Sequence, residues 1–387
     1  MPSPLLPSSS ADPLTDSCQE LLPDAPVPDV PIPDAPIKGR GAVGNVDSRF
    51  LPLQTVATAD GWYAQEVPTR LATEVLPDRT VRLITQNNSP DIGFEQSINP
   101  YKGCEHGCIY CYARPTHAYL DLSPGLDFET KLFYKTGVRE RLLEELGHAR
   151  YVCRPLAMGT NTDPYQPLER EQKIMRQILE LLLEYQHPFT IVTKSALILR
   201  DLDILQALAD QQLVHVHLSV TTLDNQLKTK LEPRTASPTA RLRAISALAD
   251  ARVPTGAMIA PVIPFLNDHE LEAMVQRCAE AGAGAVQYIL IRLPHEVAPL
   301  FEQWLVHHYP LKAKRVMQTI RSTRGGKAYS AQWYQRMTGS GPFAELIAQR
   351  FNVALKRQGL ADAGLPRLRT DLFVPPLQPG NAQMPLF

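Results

Sequence analysis

Three cysteines, Cys104, Cys108 and Cys111, stand within eight residues of the segment SINPYKGCEHGCIYCYARP. Thiolates in a C-x3-C-x2-C spacing can converge on one soft metal centre from a single loop, provided the backbone can curl. Gly103 and Gly107 supply that freedom. The number of ligands matters as much as their softness. Structural zinc takes four, and a closed ferredoxin-type cluster takes four cysteines. A cubane held by three leaves one iron open to a small molecule. Two other readings stand beside this one: His106 or His117 completes a Cys3His zinc knuckle, or the three cysteines are neighbours by chance. Six cysteines in 387 residues are too few for a disulfide scaffold. Their clustering, in a chain without a secretory leader, suits a reducing cytoplasmic compartment.

Such ligands need elements to carry them. From about residue 94 the chain alternates short apolar runs with helical patterns. Strands are expected at Gln96–Asn99, Pro155–Gly159, Phe189–Thr193, His215–Thr221, Gly256–Ala260 and Ala285–Ile291. Between the second and third, Ile174, Ile178, Leu181, Leu182 and Tyr185 share one face of a helix. Pro167 suits the first position of that helix and Glu169 its positive end. Further helices are expected over Val138–Leu146, Leu202–Asp210, Thr239–Ala251 and His269–Ala281. This alternation means βα units on a parallel sheet, doubly wound or curled into a barrel. In either case functional residues gather at the carboxyl ends of the strands. The residues there are Asn99–Tyr112, Thr160–Asp163, Lys194–Ser195, Thr221–Thr222, Pro261 and Arg292–Pro294, and only the first three groups are markedly polar.

The cysteine spacing, with Tyr110 immediately before the last cysteine, resembles the radical S-adenosylmethionine (SAM) superfamily. More narrowly, the chain is similar to its spore-photoproduct-lyase-like branch, also described as DNA repair photolyase-like. The stretches that carry the resemblance are NPYKGCEHGCIYCYARP, GTNTDPYQPLE, TKS followed by LRD, LEPRTASPTARLRAI and GAMIAPVIPFLND, in order over about residues 94–295. The resemblance implies a [4Fe-4S] cluster on Cys104, Cys108 and Cys111 within a partial (β/α)6 TIM-like barrel. It implies SAM on the open iron, reductive cleavage to a 5′-deoxyadenosyl radical, and hydrogen abstraction from a substrate. It further implies an electron donor such as a flavodoxin or ferredoxin.

Residue roles follow from the same resemblance. Lys194, ending the third strand, matches a lysine that can pair with the SAM carboxylate, and Ser219 matches a serine near SAM. Thr160 and Asp163 replace the Gly-Gly-Glu that many members use for the SAM amine; Asp163 equally suits a cap on the following turn. Arg234 can bind a carboxylate or phosphate, or pair with Glu232. Arg292 shares that ambiguity. Tyr110 is expected near the adenine or cluster, and Tyr112 matches a tyrosine that the lyases use in hydrogen-atom relay. The lyases also carry a hydrogen-donating cysteine where this chain reads Gly159-Thr160. Cys153 lies about 23 Å upstream along a strand, at the barrel's opposite end, and is expected to be a small buried hydrophobe.

Composition sets the boundaries. Ten of the 35 prolines lie in the first 40 residues and five more between Pro366 and Pro385. Both ends therefore read as tails, and the N-terminal one as disordered. The expected organisation is a proline-rich tail over 1–45, an extension over 46–93, and the catalytic barrel over 94–306. A basic, mainly helical segment follows over 307–360, then a tail over 361–387. The formal net charge of -1 hides ten Lys/Arg against Glu345 alone within residues 307–357. Interleaved with Tyr329, Trp333 and Tyr334, these cations suit a nucleic acid partner over 312–357, or a solvated helical face with Trp333 in the core. No apolar run is long enough to cross a bilayer. A non-catalytic zinc- or cluster-bearing nucleic-acid-binding protein remains the alternative to an enzyme.

Overall fold

The computed structural model describes residues 36–50, 71–79 and 82–377. In chain order the strands are β1 (Glu74–Asp78), β2 (Ile84–Gln86), β3 (Gln96–Ile98), β4 (Tyr101–Lys102), β5 (Lys131–Lys135), β6 (Leu156–Met158), β7 (Phe189–Thr193), β8 (Val214–Ser219), β9 (Thr255–Val262) and β10 (Ala285–Leu290). The principal helices are α1 (Val138–Leu146), α2 (Ile174–Glu184), α3 (Leu202–Ala209), α4 (Asn225–Leu231), α5 (Pro238–Asp250), α6 (Leu271–Glu280), α7 (Val297–His308), α8 (Pro310–Ser322) and α9 (Pro342–Arg357).

Strands β3, β6, β7, β8, β9 and β10 pair in that order, all parallel, and β2 adds antiparallel to the β3 edge. Edge strands β2 and β10 are not paired with each other, so the sheet curls without closing. The alternation left a doubly wound sheet or a barrel open; this is the six-strand partial barrel that the resemblance implied. A second sheet, β1-β5-β4, had no clear signal. Its strands are short or lie in the N-terminal extension, where alternation is weak.

Helix α2 shows why the sequence folds this way. Ile174, Ile178, Leu181 and Leu182 are each at most 3% exposed, and burying each side chain contributes roughly 1.5–3 kcal/mol. The helix does not begin at Pro167, however. A separate turn covers Glu169–Gln172, and Lys173 breaks the run with a φ of 49°. The Glu169 carboxylate then accepts hydrogen bonds from the N–H groups of Ile174 and Met175 at 3.0 and 3.1 Å. The acid expected to favour the helix dipole caps the next helix directly.

The ends of the chain are less tail-like than composition implied. The expected disordered segment lies outside the described residues up to 35, but 36–45 is ordered and packed. Ile37 and Ala42 are buried, and Arg40 Nη1 donates to the Glu129 carbonyl at 2.8 Å. At the other end, residues 361–377 run along the amino-terminal side of the barrel. The Arg369 N–H donates to Gln212 O, and Phe373 packs edge-on to Tyr151 and His187. The basic segment is helical as expected: α8 packs on α7, and α9 on α6. Trp333 is 54% exposed, so it is not core. Among the described residues, no helix is long and apolar enough to cross a membrane.

One buried carboxylate ties the N-terminal segment to the barrel. Glu129 accepts from the Gly41 and Ala42 N–H groups at 2.9 Å each and from Arg114 Nη2 at 2.5 Å, with both charged side chains fully buried. Removing one partner of such a pair strands the other. Glu129→Ala is expected to lower stability by about 3–5 kcal/mol, read by urea unfolding. Gly41→Ala places a Cβ 1.7 Å from the Gly107 carbonyl oxygen and should also destabilise. Wild-type midpoints in both variants would show that the clamp does not form.

Candidate metal and cofactor site

The cysteine loop starts from β4 and curls over the barrel mouth. Gly103 and Gly107 have φ of 75° and 66°. A Cβ on Gly103 would stand 2.7 Å from Leu132 Cδ2, and one on Gly107 2.8 Å from Glu129 Oε2, so only glycine fits at either place. Backbone bonds fix the rest: Cys104 N–H donates to Phe128 O at 2.9 Å and Ile109 N–H to Leu231 O at 3.1 Å. The Glu105 N–H donates to the Gln166 side chain at 2.9 Å.

Held this way, Cys104, Cys108 and Cys111 line one cavity of about 90 Å³, together with His106, Asp163 and Lys194. Burial pushes the Cys104 and Cys108 thiols well up from their ordinary value, while Lys194 beside Cys108 acts in the opposite sense. Among the described residues no three His, Cys, Asp or Glu side chains converge on a single-ion position. The thiols surround a volume rather than a point. Three soft donors on one wall fit an iron–sulfur cluster with an open corner. The zinc alternative needs a fourth ligand, and His117 does not supply it: its Nε2 lies 2.9 Å from Lys131 O and its ring packs against Phe128. His106 lines the cavity with Nδ1 3.3 Å from Asp163 Oδ2.

A larger cavity of about 550 Å³ adjoins the first, sharing Tyr112, Gly159, Val192, Lys194 and Ser219 as common walls. Four residues singled out from the sequence therefore meet at strand ends: Lys194 after β7, Ser219 closing β8, and Thr160 and Asp163 after β6. Asp163 is highly connected. It accepts from Thr193 Oγ1 at 2.6 Å, from the Lys194 N–H at 2.7 Å and from the Tyr165 N–H at 2.9 Å, so it both caps its turn and faces the cavity. Burial alone would push its carboxyl up, yet His106 and these hydrogen bonds hold it down at about 2. Tyr112 donates its O–H to the Thr160 carbonyl, and the Arg292 guanidinium lies 4.1 Å from its ring centroid.

Tyr110 and Arg234 are placed elsewhere, lining neither cavity. Tyr110 is buried behind the loop and donates to Glu232, which also accepts from Thr221 at 2.6 Å and pairs with Arg241. Burial would raise the Glu232 carboxyl, but Arg241 and then Lys194 keep it at about 2. Arg234 does not pair with Glu232; its Nη1 lies 2.9 Å from Glu105 Oε1. Gly159 has a φ of 84°, and a Cβ there would stand 2.0 Å from the Val192 carbonyl oxygen. Any side chain, a cysteine included, is thus excluded at position 159 by the backbone itself. Cys153 lines neither cavity. It precedes β6 and is only partly buried, a modest departure from the hydrophobe expected.

Several residues that shape the site were not singled out by name from the sequence. Asn99 ends the first barrel strand and accepts from the Asn161 N–H at 2.9 Å, holding the Thr160–Asp163 turn. Arg49, Phe94, Tyr119 and Arg336 reach the larger cavity from segments far apart in the chain. Only Asn99 lay at a predicted strand end; the others are joined by tertiary folding alone.

The radical SAM superfamily model matches residues 98–278. An uncharacterized protein of Mycobacterium tuberculosis is 36% identical over 236 residues, spanning 60% of this chain and 69% of its own. One from Methanocaldococcus jannaschii is 30% identical over 184 residues, spanning 46% and 64%. Among solved structures, spore photoproduct lyase complexed with dinucleoside spore photoproduct superposes with a TM-score of 0.54 at 16% identity, covering 74% of this chain and 79% of that one. A mutant of that lyase with bound AdoMet and the same ligand gives 0.53. At that identity the likeness establishes the fold, a partial barrel of this type. With a three-cysteine loop on such a barrel and the family match across it, the chain belongs to the radical SAM superfamily, whose cofactors are a [4Fe-4S] cluster and SAM.

Proposed function

We propose that this chain is an enzyme that takes a hydrogen atom from a nucleic acid held across the open mouth of its barrel. The observation that carries the reading is the joining of the two cavities: a thiol-lined pocket opens through Lys194, Ser219 and Gly159 onto a roomy, acid-free chamber. When bound, the cluster and SAM together supply a 5′-deoxyadenosyl radical on receipt of one electron.

The chain's own residues then bind and orient. Cys104, Cys108 and Cys111 hold the cluster. Lys194 presents an ammonium to the SAM carboxylate, backed by the Glu232–Arg241 pair. Ser219 offers its hydroxyl at the shared wall, and Asp163 presents a carboxylate to the SAM ammonium. Thr160 holds the Tyr112 hydroxyl through its carbonyl, which keeps Tyr112 between the cofactor pocket and the larger chamber, where a hydrogen-atom relay requires it. Tyr110 and Arg234 support the loop from behind. The electron comes from a small flavodoxin- or ferredoxin-like donor.

Two features support a nucleic acid substrate. The structures of spore photoproduct lyase include one with a dinucleoside ligand. In this chain the linker between α8 and α9 presents Trp333 and Tyr334, 54% and 69% exposed, beside the chamber wall formed by Tyr329, Arg336 and Met337. Exposed aromatics next to cations suit base stacking with phosphate neutralisation. The electrostatic part is weaker than the local charge of the sequence implied, because Arg321, Arg336 and Arg350 are paired with Glu302, Asp91 and Glu272. The lyase route through a strand-end thiol is unavailable at Gly159, so a different hydrogen donor or a different net reaction is required.

Anaerobic reconstitution with iron and sulfide, reduction and assay for 5′-deoxyadenosine separate the enzyme from a zinc-bearing binding protein. Zinc-like stoichiometry without SAM cleavage would refute the proposal. Cys104→Ala should abolish cleavage, whereas Cys153→Ala should leave it intact. Lys194→Met should weaken SAM binding by about 10–100-fold while cluster absorbance persists, the loss expected for one charge-assisted contact. Unchanged affinity would remove Lys194 from the cofactor site. The nucleic acid reading fails if duplex DNA, single-stranded DNA and tRNA all show no binding at low salt.

A further inference from the structure

The larger chamber carries a charge imbalance that SAM does not remove. Four cations line it, Arg49, Lys194, Arg292 and Arg336, and no Asp or Glu does. Two are neutralised from behind. Arg49 Nη1 lies 2.9 Å from Glu296 Oε2, and Arg336 Nη2 lies 2.5 Å from Asp91 Oδ1. Lys194 faces the SAM carboxylate in the reading above. Arg292 is left over, forming no ion pair among the described residues.

The surroundings of Arg292 sharpen this. Its guanidinium lies over Tyr112, 4.1 Å from the ring centroid. A second cation, Arg324, is close by at 4% exposure. Arg324 Nη2 donates to the carbonyls of Leu290 and Ile291 at 3.0 and 2.9 Å and Nη1 to that of Gln335 at 2.9 Å, while its Nε has no partner. Carbonyls satisfy hydrogens but do not cancel charge. Burial, and then the adjacent Arg292, pull Arg324 down to about 10. Two neighbouring guanidiniums without a carboxylate are unfavourable unless an anion arrives with the ligand. A planar guanidinium, with its fork of donors, is moreover the side chain best matched to a phosphate.

We propose that Arg292 is the seat of a substrate phosphate ester, with the ring of the same nucleotide unit lying along Tyr112, Tyr329 and Phe94. Those three aromatics line the same chamber. A space of about 550 Å³ that must also hold SAM leaves room for one ring-bearing unit rather than a folded protein loop. Identifying the ester as part of a nucleotide rests on the nucleic acid reading; the anion seat itself does not. The same ester chemistry comes from a free nucleotide or from one unit of a strand.

The test uses the full-length, reconstituted, SAM-bound protein under anaerobic conditions. Four probes are titrated: a nucleoside, its 5′-monophosphate, a single-stranded decanucleotide and inorganic phosphate. In the wild type, a phosphate-bearing nucleotide probe should bind at least about tenfold tighter than the nucleoside. In Arg292→Gln that advantage should collapse, and the decanucleotide's salt slope should fall by about 1. Arg292→Lys, which keeps the charge and loses the fork, should fall between the two, and cluster absorbance reports that each variant is assembled. Tight monophosphate binding assigns the site to a free nucleotide; decanucleotide binding alone assigns it to a strand. An undiminished phosphate advantage in Arg292→Gln overturns the seat while leaving the nucleic acid reading intact. Inorganic phosphate binding that disappears in Arg292→Gln, without binding of either nucleotide probe, supports the seat and overturns the nucleic acid reading.

Discussion

The site depends on one buried carboxylate. Glu129 joins three stretches of chain: the N-terminal segment through the Gly41 and Ala42 amides, the turn after the cysteine loop through Arg114, and its own helical turn before β5. Arg114 in turn donates to the Cys108 carbonyl at 2.9 Å. A charge with no exposure to water must be satisfied by fixed partners, because leaving it unsatisfied costs several kcal/mol. That cost restricts the loop to one shape, with all three thiols turned to one cavity. The glycines permit the curl; the buried ion pair selects it.

A second buried pair plays the corresponding part below the cofactor site. Glu232 and Arg241 sit behind Cys108 and Lys194, and Tyr110 and Thr221 complete the hydrogen bonding of the carboxylate. The field of this pair acts on Cys108 and Lys194, which line the thiol pocket, while the pair itself stays off its wall. In both networks the paired acid and base come from one stretch of chain, separated by 15 and 9 residues. The open flank of the barrel is handled differently. The linker between α8 and α9 bonds to the β10 edge through Leu290 N–H and Met337 O, and to the far side through Arg336 and Asp91. Of the ten cations of the basic segment, Arg324 and Arg336 take part in that bridging, while Arg321 and Arg350 pair with Glu302 and Glu272 on neighbouring helices.

The parallel alternation, all six barrel strands within two residues of their bounds, and the carboxyl-end location of the site were legible because they follow from periodicity. The break at Lys173 was not, since Glu169 reads equally well inside a helix or capping the next. The sheet β1-β5-β4 escaped because its strands stand outside the regular strand–helix alternation, β1 before it and β4 and β5 on either side of the cysteine loop. Trp333 could not be assigned to core or surface from its neighbours alone.

What the sequence determined by itself is the chemistry: ligand type, ligand number and loop flexibility are local properties, written in a dozen consecutive residues. The lysine and serine at strand ends were local too, once the strands were placed. Tertiary structure decided the rest. It showed that Tyr110 and Arg234 stand behind the loop, that Gly159 admits no side chain, and that cations from residues 49, 194, 292 and 336 line one chamber while the acids for two of them come from 91 and 296. Charge compensation acts through space over a few ångströms, and the chain brings those partners together only by folding, so no count along the sequence could reveal which cation would be left without one.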